Sequence, residues 1–290
     1  MTFSVLMQSI ISGILVGGVY ALIGIGLTII FGVMRVINFA HGDIMMVGMY
    51  MTYFLFTLFG IDPFLSVLIT MPLMFLFGAL LQKVFINRIL GTLPQNQILL
   101  TIGLGLIMSN TAMLAFTSDY KILTTSYSSS SFNIAGISIS EPLLISFLIT
   151  AAITVGLYWF LLKTDTGQAI RATAQDREAA QLMGINVKWM SILSFGIGSA
   201  MAGTAGALIS PTYYIFPQVG SAFTLKAFVI TVLGGMGSIV GATLGGIIIG
   251  LVESVAAVTI SSDWKDVVVF SIFLLVLLVK PSGLMGKSRM

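Results

Sequence analysis

The sequence has no cysteine, a single histidine (His41) and few charged side chains. The absence of cysteine excludes a disulfide scaffold, a thiolate metal site and a cysteine nucleophile, and one histidine excludes a two-histidine zinc motif. Charged residues make up 8% of the chain, whereas soluble domains carry about 25%. Because 57% of the residues are hydrophobic, a soluble monomer would lack the polar surface to cover them. The composition excludes a soluble enzyme, a disordered protein and a nucleic-acid binder.

In place of polar surface, the chain has long apolar runs. They lie at 5–31, 37–59, 64–86, 97–117, 142–162, 191–210, 222–251 and 266–280. Continuous runs of about 20 residues are typical of membrane-spanning helices, whereas the strands of a membrane barrel alternate in hydrophobicity. The sequence therefore predicts an all-α polytopic membrane protein with about eight hydrophobic helical elements, forming one transmembrane domain over residues 1–290.

The positions of the basic residues predict the orientation of these helices. Segments 83–96 and 163–190 and the C-terminal tail carry most of the lysines and arginines, so we expect them in the cytoplasm. Segment 117–141 has one base and segment 211–225 has no charge, so both are predicted to lie outside. The N-terminus is then outside and the C-terminus inside. Within the outer segment, residues 126–140 are Ser-rich and then alternate, which predicts a small hairpin.

Eight simple crossings from an outside N-terminus would leave the basic tail (Lys280, Lys287 and Arg289) outside. The contradiction disappears if run 222–251 is two helical pieces that return to the outer face. The residues at the predicted break are Gly234, Gly235, Gly237 and Ser238. Non-helical backbone at membrane depth is tolerated only inside protein or beside a watery cavity. The break is therefore predicted to lie in the core, near a translocation pathway; a single kinked span is the alternative.

Several predicted spans contain no acidic or basic side chain, which disfavours an autonomous ion-driven pump. The ionisable candidates in or near the spans lie at helix ends or breaks: Arg35, His41, Asp43, Lys226 and Glu253. No nucleotide site is predicted either, because Gly286-Lys287-Ser288 lacks the earlier glycine and the following helix of a phosphate loop. No catalytic or metal-ligating set is predicted. A transport function would then take its energy from a partner.

One polar cluster lies between the first two runs. Arg35, Asn38 and His41 recur every three residues and are predicted to share one drifting helical face, and Gly42 and Asp43 complete the cluster. Asp43 points about 160° away from His41 on such a helix. The cluster is interpreted either as capping and snorkelling at the inner membrane surface or as a hinge or gate that lines the pathway.

The second polar cluster is the loop 163–190. Thr166 is predicted to cap one short helix, Asp176 to cap a second, and Gly184 to end it in the left-handed conformation. Ala179 and Ala180 favour the second helix and give it a small, knob-like surface. Because two turns of helix are not stable alone, this helix must pack on its own bundle or dock on a cytoplasmic partner.

Three stretches of the chain carry a family resemblance. They are Gly18–Asp43 with its Asn-Phe-Ala-His-Gly core, Arg171–Ile185 with its Glu-Ala-Ala core, and Leu233–Ser238. Together they resemble the signature of branched-chain amino acid permease subunits of ABC importers, in the right order and over essentially the whole chain. In length the chain is similar to the shorter of the two permease types of that family.

The resemblance implies a permease subunit of an ATP-driven importer for branched-chain or other neutral amino acids in a bacterial or archaeal plasma membrane. Urea, short amides or small organic acids are alternative cargo, and a stand-alone channel or facilitator is the alternative class. The implied partners are a second permease subunit, two cytoplasmic ATPases that hold ATP and magnesium, an extracytoplasmic solute-binding protein and membrane lipid. The residues implied in an ATPase-coupling loop are Arg171, Asp176, Glu178, Ala179, Ala180 and Gly184. The resemblance assigns no substrate-contacting residue.

Overall fold

A computed structural model describes residues 3–134 and 136–286 of the chain. Within these ranges the helices are α1 (Phe3–Met34), α2 (His41–Phe59), α3 (Pro63–Val84), α4 (Pro94–Phe116), α5 (Glu141–Lys163), α6 (Asp165–Gln175), α7 (Arg177–Leu182), α8 (Val187–Ile209), α9 (Val219–Gly234), α10 (Ile239–Thr259) and α11 (Lys265–Val279). The strands are β1 (Ser131–Ile134) and β2 (Ile137–Ser140).

Seven of the described helices are long and apolar enough to cross a membrane: α1 to α5, α8 and α10. Helix α9 is apolar but shorter. The prediction of an all-α polytopic membrane protein is confirmed. The two strands form a small antiparallel hairpin in which Ser131 pairs with Ser140, as the alternating pattern predicted.

Helix α1 runs through the middle of the bundle, where it packs on α5, α8, α9 and α10. Its antiparallel contact with α10 is close, because small residues of the two helices face each other. A Cβ at Gly13 would lie 2.8 Å from the Cα of Leu251, and one at Gly17 would lie 2.8 Å from the Cα of Ile247. Glycines let membrane helices approach in this way. Helix α8 packs on both α1 and α3 and completes the buried centre.

The two ends of the bundle differ, and we call them the hairpin end and the α7 end after the elements they carry. At the hairpin end, Asp62 caps α3 by accepting a hydrogen bond from the backbone N–H of Phe64 at 2.8 Å. The hydroxyl of Tyr127, in the loop that precedes the hairpin, donates to the same carboxylate at 2.6 Å. Burial and this hydrogen bond raise the pKa of Tyr127 well above its ordinary value, so the phenol stays a neutral donor that ties the loop to the bundle.

The predicted two-piece element is confirmed as the antiparallel pair α9 and α10. Gly234 lies against Gly241 and Gly245 lies against Ile230, so the two helices run back along each other. The segment 281–286 folds onto this turn at the α7 end, where the N–H of Leu284 donates to the carbonyl of Leu233 at 2.8 Å. The tail residues Lys287, Ser288 and Arg289, and with them two residues of the Gly-Lys-Ser triplet, lie outside the described residues.

Candidate functional site

The connector between α1 and α2 (residues 35–40) is not helical. Helix α1 ends at Met34, Arg35 has a positive φ of 55°, and α2 begins at His41. The prediction that Arg35, Asn38 and His41 share a helical face is therefore wrong. The left-handed backbone at Arg35 turns the chain out of α1, and the four first residues of run 37–59 belong to the connector.

Helix α2 begins inside the bundle. Nε2 of His41 lies 3.0 Å from the carbonyl oxygen of Ile23, which is three turns, or about 16 Å, before the end of α1 at Met34. His41 is 0% and Asn38 1% exposed. These two side chains therefore occupy the interior of the bundle, which disfavours the capping and snorkelling interpretation for them. Arg35 is the exposed member of the cluster.

Helix α9 begins at the same depth, against the start of α2. The N–H of Gly42 donates to Oγ1 of Thr224 at 2.9 Å, and that hydroxyl donates to the carbonyl of Phe39 at 3.2 Å. A Cβ at Gly220 would lie 2.7 Å from the Cα of Asp43. Two helices thus start in the interior and run to opposite ends of the bundle, α2 to the hairpin end and α9 to the α7 end.

Three polar side chains at this place are only partly paired, and we call them the α2-start cluster: Asn38, His41 and Asp43. Nδ2 of Asn38 and Nδ1 of His41 are buried and unpaired in the described structure. Asp43 is 8% exposed, and the hydrogen bond that its carboxylate accepts comes from its own backbone amide. Unpaired buried polar groups cost free energy, so the cluster is a candidate site.

A second polar set is completely paired, and we call it the ion-pair cluster: the buried Tyr20, Lys226 and Glu253 with the half-buried Lys265. Nζ of Lys226 lies 2.7 and 2.8 Å from the two carboxylate oxygens of Glu253 and 3.1 Å from the hydroxyl of Tyr20. Nζ of Lys265 lies 3.1 Å from the same carboxylate. The cluster joins α1, α9, α10 and the start of α11. The sequence singled out Lys226 and Glu253, but their separation along the chain gave no sign that they pair.

The turn between α9 and α10 contains the predicted break residues Gly234, Gly235, Gly237 and Ser238. Gly235 and Gly237 have φ values of 101° and 91°, which glycine adopts readily. The turn lies at the α7 end of the bundle and not in its interior, since a Cβ at Gly32, two residues before the end of α1, would lie 3.5 Å from Gly237. This position argues against a pathway at the turn and directs attention to the interior starts of α2 and α9.

Helices α6 and α7 form the α7 end, and their caps correct one prediction. The side chain that caps α6 is Thr164, which accepts from the N–H of Gly167 at 3.0 Å, and not Thr166, because the helix begins at Asp165, two residues before the start that a Thr166 cap predicts. Asp176 caps α7 as predicted, accepting from the N–H groups of Glu178 and Ala179 at 2.9 and 3.0 Å.

The end of α7 also follows its prediction. Gly184 has a φ of 83°, its N–H donates to the carbonyl of Gln181, and the N–H of Ile185 donates to the carbonyl of Ala180, both at 3.0 Å. These two bonds make a Schellman motif. The short helix is therefore defined at both ends by its own sequence.

The surface of α7 differs from the predicted small knob. Ala180 is buried, at 4% exposed, and faces its own bundle, so it cannot present a contact to a partner. Leu182 and Met183 project instead, at 88% and 83% exposed. We missed these two residues in the sequence, although two large apolar side chains directly before a helix-ending glycine, in a loop expected to face water, were the available signal.

A polar cleft of about 330 Å³ separates this projection from the end of α1. It is lined by Gly32–Arg35 on one side and Thr173–Glu178 on the other. The connector that leaves this cleft reaches His41 within six residues. The surface projection and the interior start of α2 are therefore joined by a short stretch of non-helical chain.

Comparison with known proteins places this architecture. A model of the family described as the branched-chain amino acid transport system permease component matches residues 9–277. The chain belongs to this family. The high-affinity branched-chain amino acid transport system permease protein BraD of Pseudomonas aeruginosa is 34% identical over 97% of this chain and 96% of its own length. LivH of Escherichia coli, which bears the same description, is 32% identical over 98% of this chain and 97% of its own length.

A solved structure extends the likeness at the level of the fold. PsaBC from Streptococcus pneumoniae, in complex with a Fab, gives a TM-score of 0.51 at 16% identity over 97% of this chain and 94% of that chain. At this identity the likeness concerns the fold alone. With the family match, the chain is a multi-pass membrane permease, one component of a transport system that includes further subunits.

Proposed function

We propose that this chain is a permease subunit of an ATP-driven importer for branched-chain or other neutral amino acids. The names of its relatives in bacteria and in the archaeon Methanocaldococcus jannaschii support that cargo. They also support a location in a bacterial or archaeal plasma membrane. Urea, short amides and small organic acids are the alternative cargo. The observation that carries the proposal is the projection α6–α7, whose exposed Leu182 and Met183 need a protein surface to cover them.

The partners follow from this surface and from the resemblance. Two cytoplasmic ATPases hold ATP and magnesium and receive α7, with the exposed Arg171 and Glu178 beside the apolar contact. A second, related permease completes the membrane part, and an extracytoplasmic solute-binding protein delivers the cargo at the hairpin end. The α7 end, which carries Lys280 and the other basic loop residues, faces the cytoplasm according to the positive-inside rule. The N-terminus of α1 is then outside.

The connector links ATPase movement to the interior. A shift of α7 changes the cleft that it shares with Arg35. Because Arg35 begins the connector, the shift reaches the start of α2, where Gly42 is bonded to Thr224 of α9. The two interior helix starts can therefore move relative to each other while their outer parts stay packed.

The test of the proposal is transport by the reconstituted complex. The permease pair, the two ATPases and the binding protein are placed in liposomes, and leucine accumulation is measured with and without ATP. We expect accumulation against a gradient that requires ATP. Downhill passage of leucine through the permease alone, without ATP, would instead establish the facilitator alternative.

A double substitution on the α6–α7 projection tests whether its exposed apolar residues dock on the ATPases. Replacing both Leu182 and Met183 by Ala should lower ATP-driven uptake by about tenfold or more, because large apolar anchors at interfaces are each worth about 1 kcal/mol or more. The chain should still fold, since both side chains are exposed. Leu76→Ala is the matched control, because Leu76 is 61% exposed in the middle of α3, away from both ends of the bundle. Normal copurification with the ATPases and normal uptake by the double variant would refute the docking role.

A further inference from the structure

Two acidic side chains are buried among the described residues, Asp43 and Glu253. Glu253 has two ammonium partners, Lys226 and Lys265. The structure gives Asp43 none. An unpaired carboxylate inside a membrane protein is costly and characteristically belongs to a substrate or ion pathway. The carboxylate of Asp43 therefore has no cationic partner among the described residues.

The carboxylate of Asp43 lies between α4 and α9, and at that point both helices have a glycine. A Cβ at Gly105 would lie 2.6 Å from Oδ2, and a Cβ at Gly220 would lie 2.5 Å from Oδ1. The two oxygens are thus bordered by backbone, and no side chain of these two positions covers them. A side chain at either position would clash with the carboxylate, so Asp43 is in close contact with both helix backbones in this conformation.

The outer part of the same α4–α9 groove carries exposed polar side chains where α9 begins. Gln218 at the N-cap of α9 and Ser221 of α9 are both exposed. Nε2 of Gln218 donates a weak hydrogen bond to the sulfur of Met113 on α4 at 3.6 Å, which places the start of α9 beside α4. Exposed amides in a bundle with so few polar residues favour contact with water or protein over lipid. The groove therefore has the character of a pathway wall.

We propose that Asp43 binds the ammonium group of the transported amino acid as it passes between α4 and α9. A carboxylate and an ammonium form a charge-assisted hydrogen bond, which is stronger than a bond between neutral groups. The bound ammonium supplies the positive charge that Asp43 lacks, while the unpaired Asn38 and His41 lie within the same helix start. This inference rests on the proposed function, because it names the residue that recognises the cargo of that importer.

The main test is leucine uptake by the complete reconstituted complex with Asp43→Asn. The amide keeps the shape and one acceptor but removes the charge, so uptake should fall by about tenfold or more, while copurification with the ATPases stays normal. Asp119→Asn is the matched control, because Asp119 is an exposed carboxylate of the outer loop, and its uptake should equal that of the wild type. If the wild-type complex accumulates leucine and the Asp43→Asn complex accumulates it equally well, the proposal of a site at Asp43 is wrong. A wild-type complex that accumulates no leucine overturns the proposed function instead.

A second measurement applies even where Asp43→Asn lowers assembly. The chain has no cysteine, so Asp43→Cys carries a unique thiol. In the assembled complex, water-soluble 2-aminoethyl methanethiosulfonate should label this thiol, and leucine-loaded binding protein should slow the labelling several-fold. Ile44→Cys is the control that should stay unlabelled, because Ile44 is 0% exposed. An Asp43→Cys thiol that is unlabelled, or labelled at the same rate with leucine, overturns the proposal.

Discussion

Two buried clusters with ionisable side chains in the described structure sit at helix contacts of the same bundle, yet one is completely paired and the other is not. The ion-pair cluster satisfies each of its charges, since Glu253 receives both Lys226 and Lys265. The α2-start cluster leaves an amide nitrogen, an imidazole nitrogen and a carboxylate without a partner from another residue. Desolvation of the polar groups costs free energy in both regions, but only in the first do hydrogen bonds and ion pairs within the chain offset that cost.

The difference separates two uses of polar residues in a membrane. A complete network specifies which helices meet, because each group would be unpaired in any other arrangement. An incomplete network lowers stability, so its presence points to something that completes it during the working cycle. Substitutions in the ion-pair cluster should therefore lower mainly the stability of the protein, and substitutions in the α2-start cluster should lower mainly its transport activity.

The largest expected effect is that of Glu253→Gln. The substitution leaves the ammonium groups of Lys226 and Lys265 without their anion, and breaking a buried pair in this way costs about 3–5 kcal/mol. The apparent Tm of the purified complex in detergent should fall accordingly, whereas Asp43→Asn should leave it nearly unchanged or raise it. Lys226→Met should be milder than Glu253→Gln, because Lys265 remains beside Glu253. Equal destabilisation by Asp43→Asn and Glu253→Gln would erase the distinction between the two clusters.

An intermediate effect is expected at the contact between α2 and α9. Gly220→Ala adds a methyl group 2.7 Å from the Cα of Asp43, and overpacking of this kind costs about 1–3 kcal/mol. Leucine uptake should fall as well, since the two helix starts are forced apart. Gly103→Ala on α4 is the control, because nothing lies within 4 Å of its added Cβ. A Gly220→Ala variant that matches Gly103→Ala in both Tm and uptake would show that the close approach is dispensable.

The smallest effect belongs to Tyr20→Phe. The variant removes one oxygen that accepts a hydrogen bond from Lys226 at 3.1 Å, while the ion pair with Glu253 remains. A single hydrogen bond of this type is worth about 1 kcal/mol, so the Tm should decrease slightly and uptake should persist. Tyr158→Phe, on a half-exposed tyrosine of α5, is the comparison and should change neither. If Tyr20→Phe strongly lowers uptake but leaves the Tm unchanged, the ion-pair cluster takes part in transport and its role is not only structural.

Much of the fold was predictable because it depends on local physics. Runs of apolar residues long enough for a bilayer identified the spans, and the glycines after Gly234 identified the α9–α10 break. Asp176 and Gly184 defined α7, since a cap and a left-handed stop act within a few residues. These signals need no knowledge of what lies beside them in space.

The errors concern backbone direction and side-chain facing. A spacing of three suggested a helix through Arg35, Asn38 and His41, but a left-handed residue interrupts it, and no pattern distinguishes this from a continued turn. Ala180 was taken as surface because both faces of a two-turn helix look alike in sequence. Its burial depends on where the projection packs, which is a tertiary contact.

Composition and the apolar runs are enough to establish that this chain is a membrane protein that spans the bilayer several times, whereas its dependence on a partner for energy stays a prediction. Periodicity and caps add most of the helices and the short projection. The depth at which α2 and α9 begin, the pairing of Lys226 with Glu253 and the isolation of Asp43 required the folded chain. Each of these depends on residues far apart in sequence meeting at one place, and apolar runs that look alike carry no information about which of them will be neighbours.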